Sequence, residues 1–251
     1  MVASGKPIRC VLFDAGGTLF SEDAMVPGAK ALVARLAQLQ GRVSPNSETF
    51  ATWAAAAFGS LRPRLAEAMS QDFYLFASLF QAAWADASRA IGLGWDDAWC
   101  DELYSAFGAG CARGASLVPG AGEACRQLRA SGIVTGVVSN MDDVQLAPIG
   151  HALGFATLVD FVLSSEQARS CKPHGAIFQQ ALARAACAAD ETLYVGDMVA
   201  HDVVGANRAG LRSVLTTQAA MGKIELPHGA SLDEVPDHTI TSIDQLLELI
   251  S

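Results

Sequence analysis

The stretch CVLFDAGGTLF, residues Cys10–Phe20, runs four apolar residues into a single carboxylate, Asp14, then into Gly16, Gly17 and Thr18 and a further apolar pair. The apolar run reads as a buried strand. A carboxylate at the end of such a strand is costly unless it is paired, bound to metal or put to use. The two glycines and the threonine permit a tight turn with exposed backbone amides, which suits an anion.

Similar runs recur at IVTGVVSN (133–140), VDFVLSS (159–165), TLYVGD (192–197) and LRSVLTT (211–217). Helix-like segments alternate with them, as in AGEACRQLRASG and GAIFQQALARAACA. Strands alternating with helices predict parallel βαβ units, hence an α/β core: a Rossmann-like parallel sheet with helices on both faces. Ligands of such sheets gather outside the carboxyl ends of the strands. Asp14, Ser139, Asn140, Ser164, Ser165 and Asp197 all fall at those ends.

Between residues 20 and 115 the alternation stops. NSETFATWAAAAFGSL, SQDFYLFASLFQAAWADASRAIGL and DDAWCDELYSAFGAGCA show helical apolar spacing and few β-branched residues. The expected organisation is a core of residues 1–20 and 115–251 with an inserted helical cap over 21–114. All four tryptophans (53, 84, 95 and 99) lie in the insertion, where they read as its own small core. SEDAMVPG (21–28) and ARGASLVPG (112–120) are the expected hinges.

Composition narrows the function classes. The chain of 251 residues is 51% hydrophobic and 17% charged, as in a compact globular protein. Its net charge is −9 and its basic residues are scattered, which argues against nucleic acid and anionic membranes as partners and favours a small molecule. No apolar run has the length of a membrane span, and MVASGKPIR lacks a signal-peptide core, so a cytoplasmic location is expected. The six cysteines show no CxxC pairing and read as buried reduced thiols, Cys171 included.

Four separated pieces carry chemistry. Asp14 ends the first strand; Ser139 and Asn140 end the second and offer neutral donors. Lys172 lies in SCKPHGAIF, where Pro173 stiffens the approach to a helix. VGDMVAHDVVGANRAG supplies Asp197 at a strand end and Asp202 five residues on. Three carboxylates make an oxygen-rich site of the kind Mg²⁺ prefers. A carboxylate nucleophile, a hard cation, a lysine and hydroxyl and amide donors are the parts that transfer a phosphoryl group through an aspartyl-phosphate.

In this order, FDAGGTL, VVSN, CKPHGAIF and VGDMVAHDVVGANRAGL resemble the four motifs of the haloacid dehalogenase (HAD) superfamily of hydrolases, with a helical (C1-type) cap between the first and second. The resemblance implies Asp14 as nucleophile and Lys172 as its charge partner. It implies Thr18, Ser139 and Asn140 as holders of the transferring group. Asp14, the Gly16 carbonyl, Asp197 and Asp202 would then be the magnesium ligands, Asp202 directly or through water. His201, Asp142 and Asp143 flank the motifs and read as solvated or capping residues.

Phosphatases of this superfamily usually carry a second aspartate two positions after the nucleophile, as the acid and base for the leaving group; here Gly16 stands there. The first expectation is a Mg²⁺-dependent phosphohydrolase of a small molecule, its acid and base supplied by water or by another side chain, Glu22 and Asp23 being the nearest, or made unnecessary by a good leaving group. The alternatives are metal-independent hydrolysis at carbon, as in 2-haloacid dehalogenases, with Arg35 or Arg42 binding the substrate carboxylate or the halide, and a non-catalytic binding module. A phosphonate-cleaving relative would need a cap lysine, and no lysine lies between Lys30 and Lys172. Monomer and homodimer are both compatible with the sequence.

Overall fold

The computed structural model describes residues 6–218 and 231–250. In chain order its strands and α-helices are β1 (Cys10–Phe13), α1 (Met25–Leu39), α2 (Ser47–Ala68), α3 (Phe76–Ala90), α4 (Cys100–Gly114), α5 (Ala121–Ala130), β2 (Val134–Ser139) and α6 (Asp143–Leu153). There follow α7 (Phe155–Leu158), β3 (Phe161–Ser164), α8 (Ser165–Ala168), α9 (Gly175–Ala185), β4 (Thr192–Gly196), α10 (Val204–Arg208), β5 (Arg212–Thr216) and β6 (His238–Ile240).

The strands form one sheet in the order β3-β2-β1-β4-β5-β6, and every pairing is parallel. The expected α/β fold is therefore found. Cys10, Val11, Leu12 and Phe13 are all fully buried, because β1 is covered on both faces and carries no polar residue until Asp14. Phe13 stands opposite Val137 on one side and Val195 on the other. That register brings the ends of β1, β2 and β4 to one edge. The chain leaves β1 toward β2 on one flank and returns to β4 on the other, so this edge is the switch point of the sheet. The sixth strand, His238–Ile240, was not expected; it is three residues long, and two of them are exposed.

Where the chain leaves and re-enters the sheet region, the two crossings pair. Val118 N–H donates to the Leu19 carbonyl (2.9 Å) and Ser21 N–H to the Ser116 carbonyl (3.2 Å) around an antiparallel bridge between Phe20 and Leu117.

Two compact units result: the described residues of Met1–Glu22, Ser116–Asn140 and Leu153–Ser251, and a helical unit of Asp23–Ala115 and Met141–Ala152. In the helical unit α1 packs along α4, and α2 along α3. The α1–α4 approach depends on glycine: a Cβ on Gly28 would lie 2.3 Å from Cys111 Sγ, and one on Gly110 2.7 Å from the Cα of Gly28. Trp53 is buried and donates from Nε1 to Ser88 Oγ (3.2 Å). Trp84 packs 4.9 Å from the Phe107 ring and stacks on Phe80 at 5.3 Å. These rings are the interior of the helical unit, as expected of Trp53 and Trp84.

The segment 141–152 belongs with the helices through Asp142. That side chain is buried and accepts from Phe76 N–H (3.1 Å), Ala77 N–H (2.6 Å) and Tyr104 O–H (3.2 Å). It caps the amino end of α3 from 65 residues away in sequence. Among the described residues no helix is long and apolar enough to cross a membrane.

Candidate active site

The turn after β1 is built around Asp14. Its N–H donates to the Val195 carbonyl (2.8 Å), which locks the end of β1 to β4. Gly17 follows with φ +74°, its N–H donating to the Phe20 carbonyl (2.9 Å). A Cβ there would lie 2.2 Å from Asp197 Oδ2, so only glycine allows the turn to meet the second aspartate.

After β4, residues Val199–Val203 form a turn of π-helix. The extra residue per turn rotates Asp202 back over the strand end, where its Oδ2 accepts from Met198 N–H (3.0 Å). Gly196 makes room for it, since a Cβ at that position would lie 2.2 Å from Asp202 Cγ. Asp14, Asp197 and Asp202 each bring one carboxylate oxygen to within 4.8 Å of the others.

Lys172 completes the cluster. Only 2% exposed, it donates from Nζ to Asp14 Oδ1 (2.6 Å), Asp202 Oδ1 (2.6 Å) and the Tyr194 hydroxyl (2.9 Å). Asn140 holds the same residue by its main chain: Oδ1 accepts from Lys172 N–H (2.7 Å), and Nδ2 donates to the Lys172 carbonyl (3.0 Å). Ser165 Oγ in turn donates to the Asn140 carbonyl (2.9 Å). Ser139 is buried at the end of β2. Thr18 is 1% exposed, and its hydroxyl has no hydrogen-bond partner.

The electrostatics follow from burial and crowding. Asp197 is pushed up to about 8, first by burial and then by the charges of Asp14, Asp202 and Glu22. Asp14 is raised to about 6 by burial, against the opposing pull of Lys172. Burial also disfavours the Lys172 ammonium, but the carboxylates of Asp14 and Asp202 outweigh it and hold its pKa well above the ordinary lysine value. The pair of carboxylates thus favours the charged form of the lysine.

Two side chains differ from their sequence reading or were missed by it. His201 is not solvated: it is 5% exposed, and burial lowers its pKa. Tyr194 carried no signal of its own, because a tyrosine in the apolar strand TLYVG reads as packing. Asp142 does cap, but the helix it caps is distant. Cys171 is buried and unbridged, as expected.

The residues present suit a hard divalent cation. The donor set is all oxygen, burial first and neighbouring carboxylates second hold the Asp14 and Asp197 carboxyls up where a cation would favour their charged forms, and Gly17 shapes a cradle that any side chain would fill. Asp202 already accepts from Lys172 and from Met198 N–H, so Asp14 and Asp197 are the freer metal donors.

Fold and site together define an α/β protein with a lysine-bridged carboxylate cluster gathered at the switch point of a parallel sheet. The chain belongs to the haloacid dehalogenase-like hydrolases, whose family description matches residues 8–210. It is 30% identical over 247 residues to the ribulose-1,5-bisphosphate 5-phosphatase of Halopiger xanaduensis, covering 96% of this chain and 98% of that protein. It is 31% identical over 124 residues to the glyceraldehyde 3-phosphate phosphatase of Methanocaldococcus jannaschii, covering 49% of this chain and 52% of that protein. Among solved structures it resembles the magnesium-bound HAD hydrolase YfnB of Bacillus subtilis, with TM-score 0.75, 18% identity, and 98% and 100% of the two chains covered. It also resembles a 2-haloacid dehalogenase of Pseudomonas syringae pv. Tomato, with TM-score 0.68, 24% identity, and 97% and 98% covered. These structural likenesses bear on the fold alone.

Proposed function

We propose that the protein is a Mg²⁺-dependent phosphohydrolase of a small-molecule phosphate, working through an aspartyl-phosphate on Asp14. The observation that carries this reading is the buried Lys172 bridging Asp14 and Asp202 beside Asp197, at the carboxyl ends of β1 and β4. The phosphatases among its relatives agree with it.

Asp14 attacks phosphorus, and the lysine screens the charge brought by the phosphoryl group. Asp14, the Gly16 carbonyl, Asp197 and, directly or through water, Asp202 would hold the magnesium, which when bound supplies charge neutralisation at the phosphoryl oxygens. The orphaned Thr18 hydroxyl is a donor kept dry for a phosphoryl oxygen, and the buried Ser139, the last residue of β2, would offer its hydroxyl to the same group. Asn140 serves through Lys172, since both polar atoms of its amide engage that residue. With glycine at 16 the leaving group departs without a carboxylic acid at that position, so good leaving groups are favoured. Glu22, whose charge acts on Asp197, is the carboxylate to test as a substitute.

Carbon–halogen hydrolysis is the second reading, favoured by Gly16. Against it, Arg35 already binds Glu102 and Gln38, and Arg42 donates to the Gly92 carbonyl (2.7 Å), so both proposed anion binders are engaged. The test is phosphate release from a panel of sugar phosphates, aryl phosphates and acyl phosphates, with Mg²⁺ and with EDTA, beside Asp14→Asn. Magnesium-dependent turnover lost in Asp14→Asn is expected. Halide release from 2-haloacids without metal would replace this reading by the second, and silence in both assays by a binding module.

A further inference from the structure

An ammonium has three N–H donors, and those of Lys172 have three different partners. Two partners are carboxylates, Asp14 and Asp202, at 2.6 Å each. The third is neutral: the Tyr194 hydroxyl at 2.9 Å, buried with its ring edge-on to Phe178 at 5.0 Å. This hydroxyl is itself anchored outside the acidic cluster, because it donates to the Val138 carbonyl (3.1 Å) in β2, one residue before Ser139. Its contact with Asp202 is longer, at 3.3 Å.

We infer that Tyr194 is a positioning residue: its hydroxyl fixes the one ammonium N–H not committed to a carboxylate, and so keeps Lys172 on Asp14 when the charge of Asp14 changes. The inference rests on the phosphohydrolase reading above. In the first half-reaction an Asp14 oxygen forms a bond to phosphorus while the phosphorus–oxygen bond to the leaving group breaks. The leaving group takes the electron pair and a proton from bulk water, and the hydroxide left behind is neutralised by the proton that the attacking water gives up in the second half-reaction. Asp14 is then an acyl phosphate: the negative charge has moved from its carboxylate oxygens, one of which Lys172 Nζ touches, out to the phosphoryl oxygens, and the attraction at Oδ1 that helps to centre the lysine has weakened. Asp202 keeps its full charge and would draw the ammonium away. The pull of a neutral hydroxyl tethered to β2 does not change between the two states, so it opposes that drift. In the second half-reaction water forms the new bond to phosphorus, the Asp14–phosphorus bond breaks, and the Asp14 carboxylate and inorganic phosphate are restored. This is the step in which the lysine must still be in place.

Tyr194→Phe removes the hydroxyl and keeps the ring, whereas Tyr194→Leu removes both. With the best chromogenic phosphoester from the panel, Tyr194→Phe is expected to lower kcat about tenfold while KM stays within about twofold, the pattern of an interaction that matters only during reaction. Its melting temperature is expected to stay near that of the unaltered protein. Because the second step slows, rapid mixing is expected to show a burst of leaving-group release larger than in the unaltered protein. Tyr194→Leu is expected to lose melting temperature as well. An unchanged kcat, a rise in KM with kcat preserved, or loss of folding in Tyr194→Phe would each overturn the inference, the last because the hydroxyl would then be a structural group. The same experiment includes Asp14→Asn. Turnover by that variant would remove the reading on which the inference rests, while an inert Asp14→Asn beside a fully active Tyr194→Phe would remove the inference and leave the reading standing.

Discussion

Asn140 grips Lys172 by its peptide and not by its ammonium, accepting from its N–H at 2.7 Å and donating to its carbonyl at 3.0 Å. The end of β2 thus fixes where the lysine leaves its turn, and Lys172 Nζ reaches Asp14 from a backbone that cannot slide. Asn140→Ala leaves two buried peptide groups without partners, a cost of about 1–3 kcal/mol in stability. Asn140→Asp keeps the acceptor and faces the Lys172 carbonyl with a second oxygen, so it is expected to lose activity too. Urea unfolding and kcat measured on both variants check this; wild-type turnover in Asn140→Ala would refute the positioning role.

Gly16 and Gly17 are adjacent and unequal. Gly17 has φ +74°, and its Cβ would strike Asp197, whereas Gly16 is not among the glycines with positive φ. Gly17→Ala is therefore expected to lose turnover and magnesium binding together, with at least about 1 kcal/mol of backbone strain added. Gly16→Asp is expected to fold and to raise turnover of alkyl phosphates more than that of aryl phosphates, since an acid helps poor leaving groups most. Equal effects of the two substitutions, followed by steady-state kinetics and magnesium titration, would contradict this account.

The two raised carboxyls make a signed prediction about pH. Asp197 at about 8 and Asp14 at about 6 both lie above the ordinary 3.8, raised first by burial. Between the ordinary value and the raised one, the folded protein keeps a proton that the unfolded chain has released. The stability that these two carboxyls contribute to the metal-free protein is thus fully present below the ordinary value and is lost as pH rises through about 6 and then about 8. In EDTA the melting temperature is expected to fall from about pH 5 to about pH 9, and Asp197→Asn to flatten the fall. Magnesium needs the deprotonated oxygens, so its stabilising effect is expected to be larger near pH 8 than near pH 6. A melting temperature that rises with pH in EDTA would show that other groups dominate.

What was legible in the sequence had local causes. Cys10–Phe13 is an unbroken apolar run because β1 is buried on both faces, and the same holds for the core of β4. Asp14, Lys172, Asp197 and Asp202 stood out because polar groups follow such runs at strand ends or open the next turn. What was not legible depends on distant partners. Tyr194 looks like packing until Lys172, 22 residues earlier, is seen at its hydroxyl. Asp142 sits two residues after Asn140, and nothing nearby in sequence announces that it caps α3. Spacing alone gave Asp202 as five residues past Asp197; the π-turn that aims it at Lys172 is a property of the fold.

Asp142 supplies the last prediction. Its carboxylate, 2% exposed, receives two backbone N–H groups at the start of α3 and the Tyr104 hydroxyl from α4. Three donors on one buried charge are worth more than neutral bonds, and removing the acceptor strands all three. Asp142→Ala is expected to cost about 2–4 kcal/mol, whereas Asp142→Asn, which keeps one acceptor oxygen, is expected to cost less. The loss should fall first on the helical unit, where all four tryptophans lie, so tryptophan fluorescence in urea is expected to report an earlier transition than the far-ultraviolet circular dichroism of the whole chain. Coincident, unshifted transitions in Asp142→Ala would mean that the segment 141–152 is held to the helices by its apolar contacts and that the carboxylate is dispensable.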